Sequence, residues 1–178
     1  MLFFCMKIIN KIKQLYNRYF LSYEQQALKA GIKMGKDNQF LSIFWSSEPY
    51  LIEIGDNCQI TAGVMIFTHG GAKVARVKAP NFDCFGKVKI GSNVYIGTNS
   101  LIMPGVTVGD NVLIAAGSVV THSVPDNVVI GGNPAHIICT FDDYYQNNQK
   151  YNVGTKGLSP TEKRSVLLNL DEEKFIRK

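Results

Sequence analysis

No stretch of the 178 residues approaches the ~20 consecutive apolar positions that span a bilayer. Cysteine is sparse: Cys5, Cys58, Cys84 and Cys139 show no C-x-x-C spacing, which argues against a zinc ribbon or a disulfide framework. Free thiols point to a reducing compartment. Charge is low too, with 19% Asp, Glu, Lys and Arg and a net +5, enough to favour an anionic small ligand but too little to argue nucleic acid. The aromatic residues are spread out rather than interleaved with a basic stripe. The N-terminus does not read as a secretory leader, because the apolar run Met1–Met6 is short and the charges follow it. At this length and 46% hydrophobic content, one domain with a full core is expected.

What the chain does have is a period of six. Ile54, Ile60, Ile66, Ile90, Ile96, Ile102, Val108, Ile114 and Val120 stay in one register, apart from a single interruption. A helix would repeat its apolar residues every three or four positions and a half-buried strand every two. Six is the length of one flat side of a coiled ribbon, about four residues of strand and two of turn, roughly 20 Å long. A second inward position follows four residues after the first, at Cys58, Val64, Val94, Ser100, Val106, Val112, Ser118 and Val124. Gly comes after the aliphatic residue at Gly55, Gly91, Gly97 and Gly109, with Asn or Asp close behind, as expected for turns tolerant of positive φ. Nine positions in register set this apart from a sheet protein with accidental spacing.

The run from Ile90-Gly-Ser-Asn-Val-Tyr-Ile-Gly-Thr-Asn-Ser through Pro104-Gly-Val-Thr-Val-Gly-Asp-Asn-Val, Ala116-Gly-Ser-Val-Val, Val124-Pro and Gly131-Gly-Asn-Pro-Ala resembles the hexapeptide-repeat acyltransferases. The sugar and cell-surface polysaccharide O-acetyltransferases, with the galactoside and maltose enzymes as cousins, are the nearest sub-group. The resemblance covers about residues 30–145. It implies an all-β core, a left-handed parallel β-helix with three hexads per turn. That hand runs against the right-handed crossover rule, so it comes from the resemblance alone. The resemblance also implies acetyl-CoA as cosubstrate, no metal, and a homotrimer with sites between subunits.

The expected organisation is an N-terminal amphipathic helix over residues 1–30, a β-helix domain over 31–136, and a helical C-terminal cap over 137–178. Ile66 and Ile90 stay in phase, so the segment between them reads as a protruding loop of about 18 residues, about 70–87, of the kind that usually serves function. Ile8, Ile9, Ile12, Leu15, Tyr16, Tyr19 and Phe20 share one helical face. That helix either packs on the β-helix or a neighbouring subunit, or lies on an anionic membrane surface through residues 1–20. The expected location is cytoplasmic, with the inner membrane face as the site of any such association. Ile137–Tyr151 and Ser159–Phe175 read as helix, Ser159-Pro-Thr-Glu marking a start.

His69, in Phe67-Thr-His-Gly-Gly71, matches the family's catalytic base. Moving an acyl group from a thioester to an alcohol requires removal of the hydroxyl proton, a task suited to an imidazole, whose ordinary pKa is near ~6.5. The resemblance places Thr98, Ala116, Thr121, His122 and His136 at coenzyme A. His122 and His136 stand where the family usually carries cations for the phosphates, and Lys150, Lys156, Lys163 and Arg164 offer replacement charge. Gly97, Ala115, Ala116 and Gly117 would line a narrow pantetheine slot, with Tyr95 as an aromatic wall. Trp45, Glu48, Asn81 and Asp83 are the candidate acceptor-binding residues, joined by Phe82. Asp83 or Glu48 is expected to orient His69.

Two function classes compete. One is an acetyl-CoA-dependent O-acetyltransferase acting on a sugar or surface-polysaccharide precursor, with amino-sugar N-acetylation or a serine acetyltransferase-like reaction as variants. The large helical domain of serine acetyltransferase has no counterpart in the roughly thirty residues before the coils. The other class is a non-catalytic or metal-dependent β-helix like the γ-carbonic anhydrases, which needs three converging histidines. Three histidines without paired spacing argue against it.

Overall fold

A computed structural model describes residue 16, residues 19–42 and residues 44–177. Residues 1–15, 17 and 18 of the expected N-terminal helix lie outside the described residues. The helix expected over residues 1–30 is broken at Ser22, which is extended (ψ 162°) and caps a new helix, α1, Tyr23–Ala30. The Ser22 hydroxyl accepts from the Gln25 amide while the Gln25 side chain returns to the Ser22 amide, and Gly31 ends the helix at φ 101°.

The strands that follow are very short. They are β1 (Lys33–Met34), β2 (Gln39–Phe40), β3 (Ile52–Ile54), β4 (Gln59–Ile60), β5 (Met65–Ile66), β6 (Val88–Ile90), β7 (Tyr95–Ile96), β8 (Leu101–Ile102), β9 (Thr107–Val108), β10 (Leu113–Ile114) and β11 (Val119–Val120). Most have two residues rather than the four expected, because the turns take up the rest of each hexad. They form three parallel sheets visited in rotation: sheet A holds β1, β3, β6 and β9, sheet B holds β2, β4, β7 and β10, and sheet C holds β5, β8 and β11. Ile90 pairs with Val108, Ile96 with Ile114 and Ile102 with Val120, each partner eighteen residues on. The first circuit is two residues longer, pairing Met34 with Ile54, and the last two residues shorter, pairing Val108 with Val124. Ile54 pairs with Ile90, two circuit lengths on, so a segment of one circuit length is ejected between β5 and β6. It carries α2, the single turn Ala72–Ala75.

The hexad residues fill the space between the sheets. The nine aliphatic positions from Ile54 to Val120 are at most 4% exposed, and Cys58, Val64, Val94, Ser100, Val106, Val112, Ser118 and Val124 are buried beside them. Each fully buried Val or Ile contributes about 1.5–3 kcal/mol relative to an exposed one. At the turn after sheet A, the positive φ belongs to asparagine and not to glycine: Asn57, Asn93, Asn111 and Asn127 sit at φ 54–59°. Their side chains form a ladder, Asn57 donating to Asn93 (2.6 Å), Asn93 to Asn111 (3.0 Å) and Asn111 to Asn127 (2.9 Å). The neighbouring glycines serve close approach instead, since a Cβ on Gly91 would meet the Gly109 carbonyl oxygen at 2.6 Å.

The C-terminal reading needs a correction. Ile137–Thr140 is not helical: β12 (Val128–Gly132) continues sheet B, and β13 (Ala135–Thr140) turns back antiparallel along it. This hairpin covers an edge that would otherwise expose unpaired backbone groups. Helix begins only at α3, Phe141–Gln149, where the Thr140 hydroxyl accepts from the Asp143 amide. The Ser159 start is where it was expected, with Ser159 and Glu162 in a capping box, but α4 is Pro160–Leu168 and ends short of Phe175, with only a 3₁₀ turn at Glu172–Lys174 beyond it.

Candidate active site

His69 lies where the chain leaves sheet C, at the root of the ejected segment. Phe67 still belongs to the stack, its amide donating to the Ile102 carbonyl (2.9 Å). Thr68 is fully buried. Its amide donates to Ser46 Oγ (2.9 Å), and its carbonyl accepts from the Gly86 amide (2.8 Å) where the segment returns. His69 pairs antiparallel with Phe85, and the two rings meet edge to face at 5.8 Å.

The imidazole has a carboxylate partner. Glu48 Oε2 lies 2.6 Å from His69 Nδ1 and 2.9 Å from Thr68 Oγ1. Glu48 precedes the 3₁₀ turn Pro49–Leu51 and its side chain is 16% exposed, against 36% for His69. Burial pushes the Glu48 carboxyl up. Hydrogen bonds from Ser47, Thr68 and His69, together with the His69 charge, outweigh that and hold it below the usual carboxylate range. An ionised Glu48 can only accept, so Nδ1 is the donor, and in the neutral ring Nε2 keeps the lone pair.

The ring borders a cleft of about 460 Å³ formed by residues 69–71, by 84–86 and by 103–105 of the next circuit. Glycine provides much of its space. Gly70 and Gly71 have nothing within 4 Å of an added Cβ, whereas a Cβ on Gly86 would meet the Gly105 nitrogen at 2.2 Å. A larger hollow, about 620 Å³, crosses the face of sheet A among Lys33, Glu53 and Lys89 and contains no histidine or cysteine.

The remaining sequence candidates are dispersed. Thr121 and His122 share His69's edge, between sheets C and A, two circuits further along. Thr121 Oγ1 contacts His122 Nδ1 at 2.9 Å. Thr98 and Ala116 occupy a different edge, between sheets B and C. There a Cβ on Gly97 would meet the Ala116 nitrogen at 2.5 Å, so this corner admits only small residues. His136 is on β13 opposite Gly131. None of these five borders the His69 cleft. Lys156 borders a hollow with Tyr95 of sheet B and Asn57 of the turn before it, Lys150 packs over the Tyr151 ring (5.0 Å), and Lys163 and Arg164 lie on α4.

Trp45 bridges Ile66 and packs against the core near Phe40 and Ile60, away from the cleft. Asp83 pairs with Arg76 (3.4 Å) within the ejected segment, whose Phe82 carbonyl accepts from Arg76 Nε. Asn81 is exposed there. Of the two carboxylates expected to orient His69, Glu48 is the one in contact. Sequence reasoning missed Thr68, Cys84, Phe85 and Met103 around the site. Met103 was within reach, since it follows β8 as Phe67 follows β5; nothing local marked the others. Among the described residues, no cluster of three or more His, Cys, Asp or Glu is placed to hold a metal ion.

The bacterial transferase hexapeptide (six repeats) model matches residues 87–122, and the hexapeptide repeat of succinyl-transferase matches residues 52–68. The chain is 47% identical over 154 residues to "Protein CapG" of Staphylococcus aureus, covering 84% of this chain and 90% of that protein. It is 38% identical over 96 residues to the galactoside O-acetyltransferase of Escherichia coli (strain K12), covering 54% of this chain and 47% of that one. Among solved structures, a maltose O-acetyltransferase from Clostridium difficile 630 superposes with a TM-score of 0.59 at 30% identity, over 75% of this chain and 84% of that chain.

Proposed function

The chain belongs to the bacterial hexapeptide-repeat transferases and is an acyltransferase, and on that premise we propose that it moves an acetyl group from acetyl-CoA to a hydroxyl of a sugar or surface-polysaccharide precursor, with His69 as general base. The observation that carries this reading is the Glu48–His69 contact at the cleft. It engages Nδ1 and leaves Nε2 as the basic nitrogen of a partly exposed ring.

Acetyl-CoA, when bound, supplies the thioester. The chain's own residues do the rest. His69 takes the hydroxyl proton at Nε2 as the acceptor oxygen forms its bond to the acyl carbon, and returns it to the sulfur as the carbon–sulfur bond breaks. Glu48 fixes the tautomer and balances the positive ring. In this reading the small residues Gly97 and Ala116 lie along the pantetheine arm, and Thr98, Thr121, His122 and His136 complete the cosubstrate contacts. Asn81 and Asp83 on the ejected segment, with Glu48 beside His69, are the acceptor-side residues of this reading, while Trp45 packs away from the cleft.

Thr98 and Ala116 lie on another edge from His69, and in this reading they meet the cleft across a subunit boundary. Hence a homotrimer, with the three sheets closed into a left-handed β-helix, is part of the proposal. So is the division into residues 1–30, 31–136 and 137–178. A cytoplasmic location completes it, with residues 1–20 either packed on the β-helix or a neighbouring subunit or touching an anionic membrane face; cosedimentation with anionic vesicles, with and without those residues, decides between the two. The names of the galactoside and maltose enzymes support a sugar hydroxyl as acceptor.

The deciding experiment is thiol release from acetyl-CoA with a panel of sugars, nucleotide sugars, amino sugars and serine. Release that depends on a neutral sugar hydroxyl is expected. Release only with an amine, or only with serine, overturns the O-acetyl sugar reading.

A further inference from the structure

Among the described residues, four polar ones are buried in the body of the fold: Thr61, Thr68, Ser100 and Ser118. Three spend their hydroxyls on backbone carbonyls. Thr61 donates to the Ile96 carbonyl (2.6 Å), and Ser100 and Ser118 both donate to that of Ala115. This is the ordinary way to satisfy a hydroxyl inside stacked strands. Thr68 differs: its hydroxyl donates to a carboxylate, Glu48 Oε2, at 2.9 Å, and that same oxygen faces His69 Nδ1.

We propose that Thr68 is a positioning residue for acyl transfer: its hydroxyl holds Glu48 Oε2 in the place from which that oxygen receives the His69 Nδ1 proton. This rests on the reading of His69 as the base. Glu48 sits on an irregular segment outside the three sheets, on a side chain with three rotatable torsions. Thr68 has the opposite character. Its backbone is tied on both sides, by Ser46 Oγ and by the Gly86 amide, and β-branching restricts its χ1. The hydroxyl therefore starts from a fixed point and gives the mobile carboxylate a second anchor. A hydrogen bond to an ionised group is short and directional, which suits this task. The same contact helps keep Glu48 ionised, and so keeps Nδ1 as donor.

Full-length wild type, Thr68→Val, Thr68→Ser, Glu48→Gln and the Thr68→Val/Glu48→Gln double variant test this with two readouts. The first is the carbon-13 NMR titration of the Glu48 carboxyl, which needs no turnover. The second is kcat and KM for acceptor-dependent thiol release. Thr68→Val is expected to raise the Glu48 titration midpoint and lower kcat about tenfold, with KM for acetyl-CoA nearly unchanged. Thr68→Ser restores both. In the Glu48→Gln background the added valine costs less than about twofold, because its effect passes through the missing carboxylate. An unmoved Glu48 midpoint in Thr68→Val, or the same kcat loss in both backgrounds, overturns the proposal. Should Thr68→Val not fold, Thr68→Ala removes the same hydroxyl without a second branch. If His69→Ala keeps full activity, the base reading fails, while the titration still reports the Thr68 contact by itself.

Discussion

Glu48 Oε2 and His69 Nδ1 stand 2.6 Å apart although twenty-one residues separate them in the chain. The pair joins the irregular entry to the regular circuits with the root of the ejected segment. It turns a surface imidazole into one with a defined tautomer and a defined free nitrogen.

Removing either partner separates their roles. His69→Ala is expected to lower kcat at least ~100-fold, since the proton acceptor is lost. Glu48→Gln keeps the shape but not the charge, and a loss of about 10- to 100-fold is expected. Acceptor-dependent thiol release measures both. A loss below about tenfold for His69→Ala assigns the base to another group.

The Glu48 carboxyl titrates below its ordinary range in the folded chain. A depressed folded value means stability that is fully present above the unfolded pKa and is lost as pH falls through the folded one. The melting-temperature gap between wild type and Glu48→Gln is therefore widest above the ordinary carboxylate value and shrinks as pH drops below it. Thermal melts across that range check the sign, and a gap that widens on acidification contradicts it.

Asn93 receives a hydrogen bond from Asn57, donates one to Asn111 and holds φ 57°. Asn93→Ala removes both bonds and leaves at positive φ a residue without the polar side chain that lets asparagine tolerate it, for an expected loss of about 1–3 kcal/mol. Asn93→Gly relieves the backbone share alone. Denaturant unfolding should rank them wild type, then glycine, then alanine; alanine above glycine would remove the positive-φ argument.

Gly86 returns the ejected segment onto the next circuit, where an added Cβ would meet the Gly105 nitrogen at 2.2 Å. The neighbour is backbone, so Gly86→Ala must displace the segment. Its amide bond to the Thr68 carbonyl would then stretch, and kcat and melting temperature should fall together. A fully active, equally stable variant shows that the segment yields freely.

Ile102 is fully buried among aliphatic neighbours. Ile102→Ala is expected to cost about 2–5 kcal/mol through lost burial and a residual cavity, measured by denaturant unfolding. A cost under ~1 kcal/mol would mean that the stacked circuits collapse onto the vacancy.

The period of six was legible because every circuit repeats the same packing problem. An inward aliphatic residue, a tight turn and a second inward residue must recur wherever the strands stack. The interruption between Ile66 and Ile90 was legible for the same reason, since the phase survived it. The Ala135–Thr140 strand was not: six residues that add an antiparallel edge to sheet B carry no period of their own. The break at Ser22 follows from a local capping box, Ser22 with Gln25, just past the last residue of the apolar face at Phe20.

Sequence alone determined the repeat, the two inward positions of each hexad, the ejected segment and the histidine at its root, because each is written in residues close together along the chain. Only the tertiary structure decided which carboxylate meets that histidine, since Glu48 and Asp83 were equal candidates until the stacking of circuits set one against the ring and left the other paired with Arg76. The same stacking sets His69 and His122 on one edge and Thr98 and Ala116 on another. Edges are fixed by which strand lies over which, a relation that spacing along the chain does not carry.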